Sequence, residues 1–253
     1  MKIDELIQAF ALPEAARVEQ HVPRKMLLEQ GAMTEPDKRH FQEGIKDLLW
    51  AAEIKPAHIG VPAFRDAQRD YLAIAMVRVA YNDQAKVAHL TELIHRAIPY
   101  PLILVGAQRN AVMLSLCHKH HAHGRATGRV ALEYLDMTPT FREDMPDPFA
   151  GAFLASLPIT AQPKRNLFAL YQGWLDRSNA LAAARISGQF TLLDDTNAIA
   201  ARRAAMQSHV RLQQSILKLH AQAEKEKQRS RQMEINQEIE QLELQLLEVT
   251  ATL

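Results

Sequence analysis

The C-terminal stretch from Ile199 to Leu253 constrains this chain most, because it runs for more than fifty residues without a glycine or a proline. Such a stretch favours uninterrupted helix. Its last third repeats apolar residues at alternating intervals of four and three: Ile235, Ile239, Leu242, Leu246, Val249 and Leu253. This spacing places one apolar seam along a helix, flanked by glutamates, as a coiled coil requires. We therefore predict that the seam is buried against a second copy, the chain's own globular part or another protein.

A second apolar pattern precedes this seam and consists of His209, Leu212, Ile216, Leu219 and Ala223. Between the two patterns lies Glu224–Gln232, which contains no apolar residue. The helix either bends there or continues with its seam rotated. We favour one continuous helix with a solvated middle.

Length and composition indicate an ordinary globular protein. The chain has 253 residues, of which 47% are apolar, so it can form a sizeable core. The net charge of +1 gives the whole molecule no general attraction to nucleic acid or anionic membrane. Cys117 is the single cysteine, which excludes an intramolecular disulfide and fits a reducing compartment. We find no signal peptide and no apolar run long enough to span a membrane, and we predict a cytoplasmic location.

The rest of the chain predicts a mixed α/β or α+β fold. Four strands are predicted, at Tyr71–Tyr81, Leu102–Ala107, Ala111–His118 and Arg129–Leu135, with a further short strand around His58–Val61. Helices are predicted at Pro36–Trp50, Lys86–Ile98 and Lys164–Ile186. This order indicates a mixed sheet of four or five strands flanked by helices, followed by a long C-terminal helix with coiled-coil character.

The distribution of prolines divides the chain into three regions. Residues 1–138 form the predicted mixed α/β domain. Residues 139–163 contain several prolines among acidic residues and are predicted to be a linker or a surface arm. Residues 164–253 form the helical region that ends in the coiled coil.

The stretch Cys117–His123 contains four histidines and one cysteine, which are ligands that zinc or nickel accepts. However, a structural zinc site needs four convergent ligands, and no second pair of ligands lies nearby in the sequence. A polar, histidine-rich hairpin loop explains the stretch as well. We therefore predict no metal site and no cofactor.

The sequence also lacks a recognisable catalytic arrangement. Cys117 and Ser115 lie within an apolar strand without an adjacent base, so we expect them to be core residues. Glu53 and Lys55 have the spacing of some metal-dependent nucleases, but no second carboxylate stands on a neighbouring predicted strand. No glycine-rich phosphate loop is present. A cryptic nuclease remains a lesser alternative, and we predict that the protein is not an enzyme.

Basic residues are concentrated in the first two thirds of the final helical stretch. They are Arg202, Arg203, Arg211, Lys218, Lys225, Lys227, Arg229 and Arg231. This series could follow a phosphate backbone, which makes DNA binding an alternative function. It is equally typical of a solvated helix face, because Glu224 and Glu226 interrupt it and can pair with it.

Several segments together carry a resemblance to a known family. They are Val22–Lys25, the apolar strand Tyr71–Tyr81, Ala97–Pro101 leading into Leu102–Val105, and Gln232–Ile239. On these residues the chain resembles the bacterial family described as domain of unknown function 4391, over nearly its whole length, although the histidine-rich insert departs from the family pattern. The resemblance implies a setting beside a DNA methyltransferase and a superfamily 2 helicase in restriction-like, anti-phage loci. It brings no catalytic residues.

These observations together predict a non-catalytic subunit of a restriction-like anti-phage complex. The C-terminal helix would dimerise the protein or dock it on a helicase or DNA methyltransferase. The residues predicted to form this interface are Ile235, Ile239, Leu242, Leu246 and Val249.

Overall fold

The structure is a computed structural model, and it describes residues 1–30, 33–122, 130–138 and 140–253. The chain divides into two compact units, Met1–Ser178 and Asn179–Leu253. Within the described residues, every helix is too short or too polar to serve as a membrane span.

Unit 1 is built on a mixed sheet. In chain order its strands are β1 (Arg17–His21), β2 (Ile45–Ile54), β3 (Phe64–Arg65), β4 (Asp70–Tyr71), β5 (Ile74–Tyr81), β6 (Leu102–Gln108), β7 (Ala111–His121), β8 (Val130–Met137) and β9 (Phe141–Arg142). The main sheet has the order β1-β2-β5-β6-β7-β8, with β9 beside the start of β7, while β3 and β4 pair separately. Only β5 and β6 of the described strands run parallel.

The α-helices of the described residues lie in both units. They are α1 (Ile3–Ala9), α2 (Arg24–Gln30), α3 (Glu35–Gly44), α4 (Pro56–Ile59), α5 (Val87–Ala97), α6 (Ala150–Ser156), α7 (Leu167–Ser187), α8 (Thr196–Ala223) and α9 (Arg229–Thr250). The α/β fold class with a long helical C-terminal part is therefore confirmed. The sheet has seven strands, more than the four or five predicted.

The parallel pair is connected by the crossover helix α5. Its apolar residues Leu90, Leu93 and Ile94 are buried in the same core as β5 and β6. Five of the seven residues of β6 are buried, because a strand with neighbours on both edges and cover on both faces leaves no side for polar groups. This explains the continuous apolar runs in the sequence.

Two local predictions for the part of the chain before β3 were wrong. The helix predicted over Pro36–Trp50 ends at Gly44, and the chain continues as β2, which pairs with β1 on one edge and β5 on the other. Pairing on both edges satisfies the backbone of β2 and overrides the helical spacing of its apolar residues. The short strand predicted around His58–Val61 is instead the single-turn helix α4, which ends at Gly60 with a φ of +66°.

Residues 139–163, predicted to be a linker or arm, contain β9 and α6. Phe141 lies opposite Val112 of β7, and its ring stacks on Phe153 of α6 with 5.6 Å between ring centroids. Both phenylalanines are fully buried. The segment therefore contributes directly to the core of unit 1.

Unit 2 contains a helical hairpin formed by α8 and α9. The continuous helix favoured from the sequence is wrong, because the chain turns between Ala223 and Arg229. The carboxylate of Glu226 accepts hydrogen bonds from the backbone N–H groups of Lys227 (2.8 Å) and Gln228 (2.9 Å). Glu226 therefore stabilises a turn that lets the two apolar patterns face each other.

Candidate functional site

The predicted interface seam lies on the face of α9 that meets α8. Ile239 is buried, and Ile235, Leu242, Leu246 and Val249 are half-buried. On α8, the buried residues His209, Ile216 and Ala223 recur at intervals of seven, as expected for the facing helix of an antiparallel pair. The structure therefore brings all five seam residues together and covers them partly within the same chain.

A second apolar stripe lies on the opposite face of α9. Met233, Leu244 and Leu247 are 65%, 63% and 67% exposed. At about 100° per residue, they fall within one sector about 60° wide, roughly 120° to 180° around the helix from the middle of the seam. The sequence analysis did not identify this stripe, because its three apolar residues form a less regular series than the four-three spacing of the seam. The interval of eleven residues between Met233 and Leu244, three helical turns, was the available signal.

The predicted basic residues do not share one surface. Arg202 is only 5% exposed and donates a hydrogen bond to the backbone oxygen of Thr191 at 2.6 Å, so it does not face solvent as a phosphate contact requires. Arg203 is half-buried. The exposed members are Arg211, Lys218, Lys225, Lys227, Arg229 and Arg231. Four of these lie within Lys225–Arg231, at the tip of the hairpin.

Glu226 lies among the cations of the tip. Hydrogen bonds from Gln228 and Lys227, together with the nearby Arg231 guanidinium, lower the pKa of its carboxyl. The closest Arg231–Glu226 approach is 3.6 Å, and the Arg231 side chain is 70% exposed. Glu226 therefore stays ionised at neutral pH and offsets one of the four positive charges.

Charge is segregated between the two helices of the hairpin. Helix α8 carries Arg202, Arg203, Arg211 and Lys218 and has no carboxylate. Beyond Arg231, α9 has no lysine or arginine and carries Glu234, Glu238, Glu240, Glu243 and Glu248. The hairpin therefore presents one basic and one acidic helix.

In the part of the histidine-rich stretch that the structure describes, each histidine has different partners. His118 stacks on Phe168 with 4.8 Å between ring centroids. Its Nδ1 contacts the Tyr71 hydroxyl, and its Nε2 lies 2.8 Å from Gln172 Oε1. His120 lies 3.8 Å from Glu133, and His121 lies 3.4 Å from Asp70. His123 lies outside the described residues.

Four chemically interesting side chains are buried inside unit 1. His95 Nε2 lies 2.9 Å from Ser115 Oγ, and both residues are at most 1% exposed. Burial raises the pKa of the Cys117 thiol to about 11, which keeps it protonated and unreactive. Lys119 Nζ donates to the backbone oxygens of Ile98 (2.6 Å) and Tyr100 (2.7 Å). These contacts fix the core and the turn before β6.

Glu53, the carboxylate with nuclease-like spacing, and Glu133 of β8 are both in ion pairs. Glu53 lies 2.6 Å from Lys55, and Glu133 lies 2.6 Å from Arg69. Glu53 is at the end of β2, whereas Glu133 is on β8 at the other side of the sheet. The two do not form the clustered carboxylates that a divalent-metal nuclease uses.

Asp37, His40 and His89 form a separate cluster on α3 and α5. Each residue offers one ligand atom, and these three atoms lie within 4.8 Å of one another. Of the described histidine, cysteine and acidic residues, this is the group whose spacing suits a metal ion. Sequence reasoning missed it, because His89 lies on a different helix from the other two.

Comparison with known proteins gives one result. No curated protein and no solved structure matches the chain. The model of the family described as Domain of unknown function (DUF4391) matches residues 10–246, which include the sheet and nearly the whole hairpin. The chain therefore belongs to the DUF4391 family.

Proposed function

We propose that this protein is a non-catalytic subunit of a bacterial restriction-like anti-phage defence complex, acting in the cytoplasm. The C-terminal hairpin is the part that dimerises the protein or docks it on a helicase or DNA methyltransferase of the same system. The observation that carries this proposal is the exposed stripe of Met233, Leu244 and Leu247 on α9. The resemblance to the family supplies the setting and the class of partner.

The stripe supports a partner because a two-helix hairpin buries little apolar surface alone. Only Ile239 of the 22 residues of α9 is fully buried. Helices in proteins take most of their stability from packing of an apolar face. Covering the outer stripe would give α9 a second buried face, as in a four-helix bundle made from two hairpins.

The separation of basic residues on α8 from acidic residues on α9 favours a second copy of the chain as one partner that covers the stripe. If α9 of one copy lies beside α8 of another, its glutamates meet arginine and lysine side chains. Complementary charge of this kind orients and selects partners more than it adds affinity. A helicase or methyltransferase with a basic groove would also be complementary in charge to α9 and could cover its apolar stripe.

The test is the mass of the full chain in solution by light scattering, alone and with the neighbouring helicase and methyltransferase. The M233D/L244D/L247D variant adds three carboxylates to the stripe. The Q8D/Q20D/Q42D variant adds the same number at exposed polar positions of unit 1 and serves as the control. We expect wild type and control to form the dimer or mixed complex and the stripe variant to remain monomeric. Equal association by all three would remove the proposal.

A second candidate function is nucleic-acid binding through the tip, favoured by the exposed cations Lys225, Lys227, Arg229 and Arg231. Binding through phosphate contacts weakens steeply with salt. We expect R229E/R231E to weaken duplex DNA binding and to flatten its salt dependence. The charge-matched control R17E/K25E changes two exposed cations of unit 1 and should bind as wild type does. Salt-insensitive binding, or equal loss in both variants, would contradict this function.

A further inference from the structure

We infer that Asp37, His40 and His89 form a site for a divalent transition-metal ion, with Zn²⁺ the best match. Two imidazoles and one carboxylate are a ligand set that this ion accepts. Their ligand atoms already lie within 4.8 Å of one another. The inference is independent of the hairpin and concerns unit 1 alone.

The local structure of α3 sets two of the three ligands. Asp37 and His40 are three residues apart and therefore lie on one face of the helix. Thr34, the N-cap of α3, donates from Oγ1 to Asp37 Oδ2 at 2.7 Å. This contact fixes the carboxylate so that Oδ1 faces His89 Nε2 at 2.8 Å.

Helix α5 supplies the third ligand at its first turn. The two helices approach closely where α3 ends. A Cβ added at Gly44 would overlap the side chain of Leu90 of α5, so glycine at this position permits the approach. His89 lies in this first turn, and its Nε2 is 2.8 Å from Asp37 Oδ1 of α3.

The Asp37–His89 distance also fits an ordinary hydrogen bond between carboxylate and imidazole, and metal binding requires a small rearrangement. Bonds of about 2.0–2.2 Å to a tetrahedral ion place its ligands about 3.4 Å apart. The Oδ1–Nε2 pair would have to open by about half an ångström. The His89 side chain is 41% exposed and His40 is exposed, so both can move without disturbing the core.

A cavity of about 260 Å³ lies beside the cluster, and His40 itself lines it. Glu43, Asn82 and Lys86 also line it, and Asn82 directly follows β5. Ligands of α/β proteins bind outside the carboxyl ends of parallel strands, which is where this cavity lies. Three protein ligands with an open position toward a cavity are typical of zinc sites that bind a water or a substrate oxygen. Lys86 would attract an anionic group bound to the ion.

The experiment is titration of the EDTA-stripped full chain with Zn²⁺, using isothermal calorimetry and a competing chromophoric chelator. We expect one tight equivalent for wild type. H40A and H89A should each weaken the dissociation constant at least tenfold. H220A, which removes an exposed histidine of α8, should leave it unchanged. Co²⁺ in place of Zn²⁺ should give the visible absorption of a low-coordinate ion, and H40A should abolish it.

The histidine-rich stretch is the competing explanation for zinc binding. H120A/H121A should therefore retain the tight equivalent. Zinc binding that survives H40A and H89A but disappears in H120A/H121A would overturn the inference. Failure of wild type to bind one equivalent would also overturn it and would leave Asp37–His89 as an ion pair only. Because His40 is exposed, H40A should fold normally, which circular dichroism checks.

Discussion

The sheet of unit 1 and the hairpin of unit 2 differ in the fraction of their residues that is buried. Six of the eight residues of β5 are buried, whereas one of the 22 residues of α9 is. Apolar burial is the dominant favourable term in folding. Unit 1 can therefore be stable through its own core, while the hairpin gains from a partner that covers its outer face.

The two regions also differ in whether their polar and charged side chains are buried. Unit 1 encloses Lys119, His95 and Ser115 in its core and satisfies Lys119 with two backbone carbonyls. The hairpin keeps nearly all its charges in water, with Arg202 as the buried exception. Substitutions in unit 1 should therefore affect global unfolding, and those in the hairpin should affect local opening.

The largest effect should come from Trp174→Ala in unit 1. Trp174 is fully buried, contacts Phe10 edge-on with 5.3 Å between ring centroids, and donates to the Leu157 oxygen at 2.9 Å. Removing such a ring leaves a large cavity and costs about 3–5 kcal/mol in free energy of unfolding. Urea unfolding followed by circular dichroism measures it. Trp50→Ala, at a half-buried position, should cost less. Equal losses would show that the extent of burial does not set the cost in unit 1.

The pH dependence of stability tests the buried lysine of unit 1. Burial lowers the pKa of Lys119 to about 7 from 10.5, and nearby Cys117 opposes this shift. Between these two values the unfolded chain binds more protons than the folded chain, so the free energy of unfolding rises with pH. The rise can reach about 1.4 kcal/mol per pH unit.

The matched variant is Lys119→Met, which is unbranched, keeps all but the last atom of the side chain's length and removes the titrating group. From pH 7 to pH 8.5, wild type should gain up to about 2 kcal/mol in free energy of unfolding relative to this variant. Burial raises the pKa of Cys117 to about 11 in the folded state, so its thiol begins to titrate in this window only in the unfolded chain. Both proteins contain Cys117, so this contribution largely cancels between them. Parallel stability profiles for the two proteins would show that Lys119 is charged throughout in the folded state.

Substitution of Ile239 tests whether the hairpin opens by itself. Ile239 is 5% exposed on the face of α9 that meets α8. Ile239→Ala should cost about 2 kcal/mol, the low end for a buried aliphatic side chain, because a two-helix contact can close around the gap. Hydrogen exchange should speed up in α8 and α9 and stay unchanged in β5 and β6. Leu217→Ala, at a 68% exposed position, is the control. Faster hydrogen exchange throughout the sheet as well would show that the two units unfold together as one cooperative structure.

The outcome of the sequence predictions follows the same division. Strands β5, β6 and β7 were predicted because their apolar runs reflect burial on both faces. Strand β2 was missed because Phe41, Ile45 and Leu48 also fit a helical face, and only pairing with two neighbouring strands decides between the forms. The identity of those neighbours is not encoded within ten residues.

For the hairpin and for the Asp37, His40 and His89 cluster, the sequence likewise predicts the local pattern but not the contacts between helices. The two apolar patterns of the C-terminal stretch were visible, but the turn depends on the mutual packing of α8 and α9 and on Glu226. For the cluster, the sequence places Asp37 and His40 on one helical face. It does not show that His89 of α5 completes the set, because that proximity comes from the helix contact at Gly44.

The smallest effect should come from the N-terminal cap of α8. Asp195 Oδ2 accepts a hydrogen bond from the Ala198 backbone N–H at 2.7 Å, and its charge lies at the positive end of the helix dipole. Asp195→Ala should cost about 1 kcal/mol, seen as faster hydrogen exchange in the first turns of α8. Asp195→Asn keeps an acceptor and should recover most of the loss, whereas Asp194→Ala removes an equal charge one residue earlier and should cost less. If Asp194→Ala matched Asp195→Ala, charge rather than the cap would hold this end, and the hairpin would depend on salt in a way the sheet does not.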